Sequence, residues 1–164
     1  MSAEPTSPPV VDSPGGFKAA LLWGVQAAVA RSARRIVCVD PDFAAWPWNE
    51  AALLESLTVW LRLPQRRLVL LASDYESFAG RHPRFVAWRR NWVHAIDTLL
   101  PPEDAGSLPS LLVDDGPVVV RLIDPVHWRG RAGSDEREAH QVRESVDAFL
   151  QRSTPGFPAY PLGL

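Results

Sequence analysis

Three aspartates follow the first two apolar segments of the chain. Asp40 and Asp42 come after "RRIVCV", and Asp74 comes after "RRLVLLAS". Both segments are typical of buried strands. Parallel strands end at one edge of a sheet, where α/β proteins bind ligands, so we expect these carboxylates to lie close together. Carboxylates bind Mg²⁺; the competing interpretation is that they cap helices and turns.

Two phosphotransfer chemistries are excluded at this edge. The stretch "DPDFA" has alanine where the DxDx[TV] motif of haloacid dehalogenase-type enzymes needs threonine or valine. A response-regulator receiver needs a lysine on a late strand, and Lys18 is the only lysine in the chain. We therefore favour the capping interpretation and expect neither a bound metal nor a cofactor.

A second group of candidate residues is basic. The stretch "GRHPRFVAWRRNW" places Arg81, His82, Arg84, Arg89 and Arg90 at the start and along one side of a predicted helix. Such a segment binds an anion, contacts nucleic acid through arginines interleaved with tryptophans, or forms a solvated face paired with acids. The net charge of −2 argues against nucleic acid.

The histidines and the cysteine give no metal or nucleophile signal. None of the four histidines has HxH, HxxxH or Cys/His ligand spacing, so zinc is excluded. Cys38 lies within an apolar strand and is interpreted as a buried thiol. His127 and Arg129, in "PVHWRGRAG", follow a predicted hairpin and are candidates for an anion site or an ordinary loop.

The elements that must position these residues alternate along the chain. Helical spacing and short apolar runs predict the order α-β-α-β-α-β-β-β-α, with Asn49 as a helix N-cap. The two late strands, "PSLLVDD" and "PVVVRLID", form a hairpin around Asp115-Gly116. We therefore expect an α/β fold with a mixed, mostly parallel sheet, helices on both faces, a late β-hairpin and a C-terminal helix.

The two ends of the chain differ from its centre. Prolines and few large apolar groups predict a disordered tail at 1–15 and a second tail at 154–164, around a domain at 16–153. Phe157, Tyr160 and Leu162 are expected to pack on the domain or on a partner. The absence of a signal-like start and of a run of ~20 apolar residues leaves a cytoplasmic location by default.

The stretch "SLPSLLVDDGPVVVRL", together with the element order and the closing amphipathic helix, resembles one half of the phospholipase D-like fold. It is similar in particular to a bacterial group of such domains that lack the HKD motif and have no assigned activity. Active members of the family use the histidine of HxKxxxxD to attack phosphorus, the lysine to hold phosphate oxygens, and the aspartate to support the site.

The residues that this resemblance requires for catalysis are missing. With the motif aspartate placed on Asp114, Ser107 stands at the histidine position and Pro109 at the lysine position. Placing it on Asp115 gives Leu108 and Ser110 instead. Neither pair can attack phosphorus and bind its oxygens, so we expect no HKD-type catalysis.

The resemblance implies a non-catalytic phospholipase D-like domain that binds an anionic small molecule or a protein partner. The first alternative is a phosphodiester- or phosphate-processing enzyme with a non-standard site at the strand ends. The second is a nucleic-acid binder that uses Arg81–Arg90. A single half also implies a homodimer, which would cover apolar hairpin strands exposed at the sheet edge. The candidate ligand-binding residues are Asp40, Asp42, Asp74, His82, Arg84, Asp114, Arg121, His127 and Arg129.

Overall fold

The computed structural model describes residues 7–159. The helices are α1 (Pro14–Ala30), α2 (Ala51–Leu61), α3 (Phe78–Arg81), α4 (Pro83–Arg89) and α5 (Glu136–Leu150). The strands are β1 (Arg35–Val39), β2 (Arg67–Leu71), β3 (Ile96–Leu100), β4 (Leu111–Asp114), β5 (Val118–Asp124), β6 (Arg129–Ser134) and β7 (Thr154–Pro155). Short 3₁₀ turns cover Val93–Ala95 and Glu103–Ala105. No helix within this part of the chain is long and apolar enough to cross a membrane.

The strands form one sheet in the order β6-β5-β4-β1-β2-β3-β7. The α/β class and the late hairpin are confirmed, but the prediction of a mostly parallel sheet is wrong. Only the β1–β2 and β2–β3 pairs are parallel, and the other four pairs are antiparallel. The short connections β4–β5 and β5–β6 leave no room for a crossover helix, which parallel neighbours require.

Helices cover both faces of the sheet, as predicted, but unequally. On one face α1, α2 and α4 pack on alternate strand residues such as Ile36, Cys38 and Leu112. Burial there raises the pKa of the Cys38 thiol, so the interpretation of an inert cysteine is supported. On the other face α5 packs over β4 and β5, and the β3–β4 connection adds Leu108 to the core.

The described parts of the two predicted tails, residues 7–15 and 154–159, pack on the folded domain. Val11 is buried, and its carbonyl oxygen accepts a hydrogen bond from the Gly130 N–H at 3.1 Å. At the other end β7 pairs with β3, and the ring of Phe157 stacks on Tyr75 with centroids 5.0 Å apart. The expected packing of Phe157 is therefore confirmed, while Tyr160 and Leu162 lie outside the described residues.

Two helix ends differ from their predictions. Glu50, not Asn49, precedes α2; the Asn49 side chain instead accepts the backbone N–H of Arg84 at 2.8 Å. The helix α4 ends at Arg89, so Trp92 lies beyond it. The side-chain amide of Asn49 is thus used to hold the start of α4 against the loop before α2.

The hairpin strands are not at an edge of the sheet. β4 lies between β1 and β5, and β5 lies between β4 and β6. The edge strands are β6 and β7, whose glycine-, arginine- and proline-containing sequences concealed them from apolar pattern analysis. The argument that a homodimer must cover exposed hairpin strands is therefore wrong, because β6 already covers them.

We expect Val120→Asp to prevent stable folding. Val120 is 0% exposed, and a carboxylate there would be buried against α1 without a partner, at a cost of at least about 4 kcal/mol. Val59→Asp is the matched control, since Val59 is 59% exposed on α2 and its replacement should cost less than about 1 kcal/mol. Urea unfolding followed by tryptophan fluorescence measures both; equal, small losses would contradict the burial of this strand.

Candidate functional site

Asp40 organises the loop that follows β1. Its Oδ2 accepts the backbone N–H groups of Asp42 and Phe43 at 3.1 and 2.7 Å. Its Oδ1 accepts the Trp46 indole N–H at 3.0 Å and the Ser110 hydroxyl at 2.5 Å. Because both oxygens of this buried carboxylate are occupied, Asp40 has a structural role at the sheet edge.

The other two edge aspartates also form turns. Asp42 Oδ1 accepts the backbone N–H of Ala44 at 3.0 Å, and Asp74 Oδ1 accepts that of Glu76 at 2.7 Å. Within residues 7–159 no group of three acidic, histidine or cysteine side chains is arranged to hold a metal ion. These contacts agree with the capping interpretation of Asp42 and Asp74.

A cavity of about 510 Å³ opens at this edge of the sheet, and we call it the edge cavity. It lies between the β1 loop and the β5–β6 turn. Its lining consists of Phe17, Asp40, Pro41, Asp42, Ala44, Ala45, Arg81, Ser110, Leu122, Pro125 and Trp128. The structure thus brings Asp40 and Asp42 together with Arg81, while Asp74 does not line the cavity.

Arg81 is the cationic residue that lines the edge cavity, together with the carboxylates of Asp40 and Asp42. Arg81 is exposed, and its guanidinium has no ion pair with any described residue. A neighbouring cavity of about 360 Å³ shares Ala44 and Arg81 and also contains Lys18. The two cationic side chains therefore line adjoining cavities that meet at Ala44.

His82 lines this neighbouring cavity but is only 4% exposed. Its Nε2 lies 2.9 Å from the Phe43 carbonyl oxygen and must donate to it. Its Nδ1 has no hydrogen-bond partner among the described residues. Burial, followed by the positive charges of Arg81 and Lys18, lowers the pKa of His82, so the ring is neutral at pH 7.

The aspartate of the predicted hairpin lies at the far end of β4 from the edge cavity. Asp114 pairs with Ile36 at the beginning of β1. Its Oδ1 accepts the N–H groups of Gly116 and Val118, and its Oδ2 accepts Arg31 at 2.8 Å. Burial raises the pKa of Asp114, although these three donors favour its charged form.

Two arginines hold the hairpin turn from opposite faces of the sheet. Arg31, just after α1, bonds Asp114, and Arg143 on α5 donates to the carbonyl oxygens of Asp114 and Gly116. A Cβ atom at position 116 would overlap the Arg31 guanidinium, so a larger residue there would have to displace the end of this arginine side chain. The Asp114 side chain therefore stabilises the turn, and sequence analysis gave no sign of either arginine.

The arginine-rich segment does not present one basic face. Arg84 and Arg90 are exposed, whereas Arg89 is buried and donates to Thr98 Oγ1 at 2.7 Å and to the Phe157 carbonyl oxygen. Its guanidinium also lies 5.0 Å from the centre of the Phe157 ring. Arg89 holds the C-terminal segment in place and is not available to a ligand.

The two candidate residues that follow the hairpin, His127 and Arg129, do not lie in one site. His127 is exposed and bonds Asp124 at 2.8 Å, which lowers the pKa of Asp124. Arg129 is exposed at the start of β6. Neither residue lines the edge cavity, although Pro125 and Trp128 from the same turn do.

Arg121 lies in a second cavity of about 370 Å³, between α5 and the hairpin, which we call the helix cleft. It shares Ser110 and Leu122 with the edge cavity. Sequence analysis included Arg121 but missed Ser110 and Trp128 as lining residues. A hydroxyl and an indole in loops carry no pattern that would have identified them.

We expect the stability of the protein to fall as pH decreases below about 6.5, the ordinary histidine pKa. Below this pH the unfolded chain takes up a proton at residue 82, while the folded chain does not until its lowered pKa is reached. The loss approaches about 1.4 kcal/mol per pH unit for this one group.

Urea unfolding at pH 7.0 and 5.5 compares the wild type with His82→Gln, whose amide retains a donor for the Phe43 carbonyl. The variant should lose less stability between the two pH values, since the exposed histidines His94, His127 and His140 remain in both proteins. Equal losses would show that His82 is not buried in its neutral form.

No family profile matches the sequence, and no curated protein matches it. Solved structures resemble the fold at low identity. Nuc, a phospholipase D family member from Salmonella typhimurium, has a TM-score of 0.55 at 7% identity; the match covers 86% of this chain and 93% of Nuc. Phosphatidylserine synthase from Haemophilus influenzae Rd KW20 has a TM-score of 0.54 at 10% identity, covering 90% of this chain and 38% of the synthase.

TrmBL2, an archaeal chromatin protein with a novel mode of DNA binding, also matches. Its TM-score is 0.57 at 11% identity, and the match covers 85% of this chain and 51% of TrmBL2. The chain thus spans about half of TrmBL2, less than half of the synthase and nearly all of Nuc. These similarities concern the fold alone, and the chain has the phospholipase D-like α/β fold.

Proposed function

We propose that this protein is a non-catalytic phospholipase D-like domain that binds a small anionic ligand beside Arg81, at the edge cavity. One observation carries the proposal: the guanidinium of Arg81 has no ion pair among the described residues, while Asp40 and Asp42 of the same cavity accept hydrogen bonds from neutral donors, most of them in their own loop. Lys18 adds a second positive charge in the adjoining cavity, which Glu50 also lines. An anion there would gain charge-assisted hydrogen bonds.

The residues at the expected catalytic positions support the absence of catalysis. Ser107 and Pro109 precede β4; Ser107 is not the imidazole that the motif uses as its nucleophile, and Pro109 supplies no cation to hold phosphate oxygens. The carboxylate of Asp114 is bound by Arg31 and two backbone N–H groups at the hairpin turn. It is therefore unavailable to support a histidine nucleophile.

The enzymatic alternative would rest on Ser110 and Asp40. The Ser110 hydroxyl donates to Asp40 at 2.5 Å within the edge cavity. A serine nucleophile is usually activated by a histidine that takes its proton, and no histidine lines this cavity. Asp40 also accepts three further hydrogen bonds that hold its own loop. This pair is better suited to joining β1 and β4 than to catalysis.

Binding of inorganic phosphate tests the proposal. Isothermal titration calorimetry at low salt should detect weak binding, with a Kd on the order of 1 mM, because the site is open to water. Arg81→Ala should weaken it at least about fivefold. Arg34→Ala is the matched control, since Arg34 is exposed at the opposite end of β1. Equal phosphate affinity in Arg81→Ala and the wild type would refute the proposed site.

The same preparations test for catalysis with bis(p-nitrophenyl) phosphate. We expect no turnover above the uncatalysed rate. Turnover that Asp40→Asn abolishes would replace the binding proposal with the enzymatic alternative.

DNA binding is the second candidate, favoured by the fold that the chain shares with TrmBL2. The charge distribution supports it less well. Of the basic segment, Arg81, Arg84 and Arg90 are exposed, while His82 and Arg89 are buried. With a net charge of −2, the chain offers few phosphate contacts to a duplex.

A homodimer completes the proposal. The chain spans 93% of Nuc but only 38% of phosphatidylserine synthase, as expected of one half of a two-half arrangement. Beside the edge cavity, the end of β5 exposes Ile123 and the β5–β6 turn exposes Val126, the latter 82% exposed. Contact between two copies of this turn would bury them across a two-fold axis.

Light scattering at micromolar concentration should give about twice the 18.2 kDa chain mass. Val126→Asp should yield folded monomers, because this side chain has no role in the core of one chain. Val59→Asp, at an exposed position of α2, should remain dimeric. A wild-type mass near that of one chain across about a tenfold concentration range would rule out the dimer.

A further inference from the structure

The helix cleft is separate in composition from the edge cavity, although the two meet at Ser110 and Leu122. Its floor is apolar and its rim is polar but uncharged, apart from one arginine. It is lined by Pro109, Ser110, Leu111, Arg121, Leu122, Gln141, Val142, Ser145, Val146 and Phe149. No acidic side chain is among these residues.

Among the residues that the structure describes, Arg121 is the only charged one in the lining. It is half-buried, and its guanidinium has no hydrogen bond or ion pair with any described residue. Its cross-strand neighbour on β6, Arg131, differs in having an ion pair. The Arg131 guanidinium lies 3.1 Å from the Glu138 carboxylate of α5. Of two adjacent arginines beneath the same helix, one is neutralised within the chain and the other is not.

A partly buried guanidinium without a counter-charge is unfavourable, because burial removes water from its N–H groups. Its planar fork of donors matches a carboxylate, which accepts two parallel hydrogen bonds. Because Arg131 is already paired, the cleft provides one unbalanced positive charge. A ligand with a single negative charge balances it, whereas the dianion of a phosphate monoester exceeds it.

The remaining lining determines the rest of the ligand. Leu111, Val142, Val146 and Phe149 form an apolar surface beside Arg121. The cavity volume of about 370 Å³ is near the lower end of the usual range for small-molecule sites. An apolar body of about eight carbons fits such a space and would gain from burial there.

We propose that the helix cleft binds a small monocarboxylate with an apolar body, held at its carboxylate by Arg121. The ligand class differs from the small anion proposed for Arg81, and the two sites use different cations. Either proposal can therefore fail without the other.

Isothermal titration calorimetry of the full chain with octanoate tests the inference. Octanamide, which has the same apolar body without the charge, should bind at least about tenfold more weakly. Arg121→Gln should weaken octanoate binding by a similar factor. Arg137→Gln, at an exposed position on α5 outside the cleft, should leave it unchanged.

A second variant keeps the test valid if Arg121→Gln folds poorly. Gln141→Trp, from an exposed position on α5, should fill the cleft and abolish octanoate binding while Arg121 remains. Arg81→Ala should leave octanoate binding intact, and Arg121→Gln should leave phosphate binding intact. Equal affinities for octanoate and octanamide, or octanoate binding that persists in both cleft variants, would overturn the inference.

Discussion

The buried carboxylate of Asp40 is the constraint on which this edge of the molecule depends. A carboxylate 7% exposed is tolerated only when donors surround it, and four donors do so here. Two of them bend the chain back immediately after β1 and hold Phe43 in a left-handed conformation, with φ of 60°. The Trp46 indole and the Ser110 hydroxyl come from further along the chain. One side chain therefore fixes the loop after β1, the aromatic cluster beneath it and the start of β4.

Two buried aspartates stabilise turns, whereas two arginines that line cavities have no ion pair among the described residues. Asp40 and Asp114 occupy opposite ends of the β1–β4 pair, and each has its oxygens filled by backbone or side-chain donors. The arginines divide differently. Arg31, Arg89 and Arg143 hold the hairpin turn and the C-terminal segment, whereas Arg81 and Arg121 line cavities without a partner among residues 7–159. These two unpaired guanidinium groups are the basis of the anion sites proposed for the two cavities.

The sequence predicted the helices and strands whose residue pattern is contained within the element itself. Apolar runs identified β1 to β5, and the 3.6-residue stripe through Val142 and Val146 identified α5. It did not predict β6 or β7, because "RGRAGS" and Thr154–Pro155 contain no apolar pattern and pair only once their neighbours exist. The burial of Arg89 was not predicted from the sequence for a similar reason. Its partners, Thr98 and Phe157, are distant in sequence, so no spacing rule connects them.

The position of Arg121 could not be predicted from the sequence, because it depends on the register of the hairpin strands. The strand "VVVRLID" is apolar on both faces at its start, so its sequence does not say which face the arginine takes. The pairing of Leu111 with Arg121 decides it, since it places the arginine beneath α5. The helices α1, α2 and α4 pack on the opposite face of the sheet. On the face that Arg121 takes, α5 is the helix that packs over β4 and β5. The unequal cover of the two faces, rather than any motif, leaves the space beside this guanidinium on which the proposed carboxylate site depends.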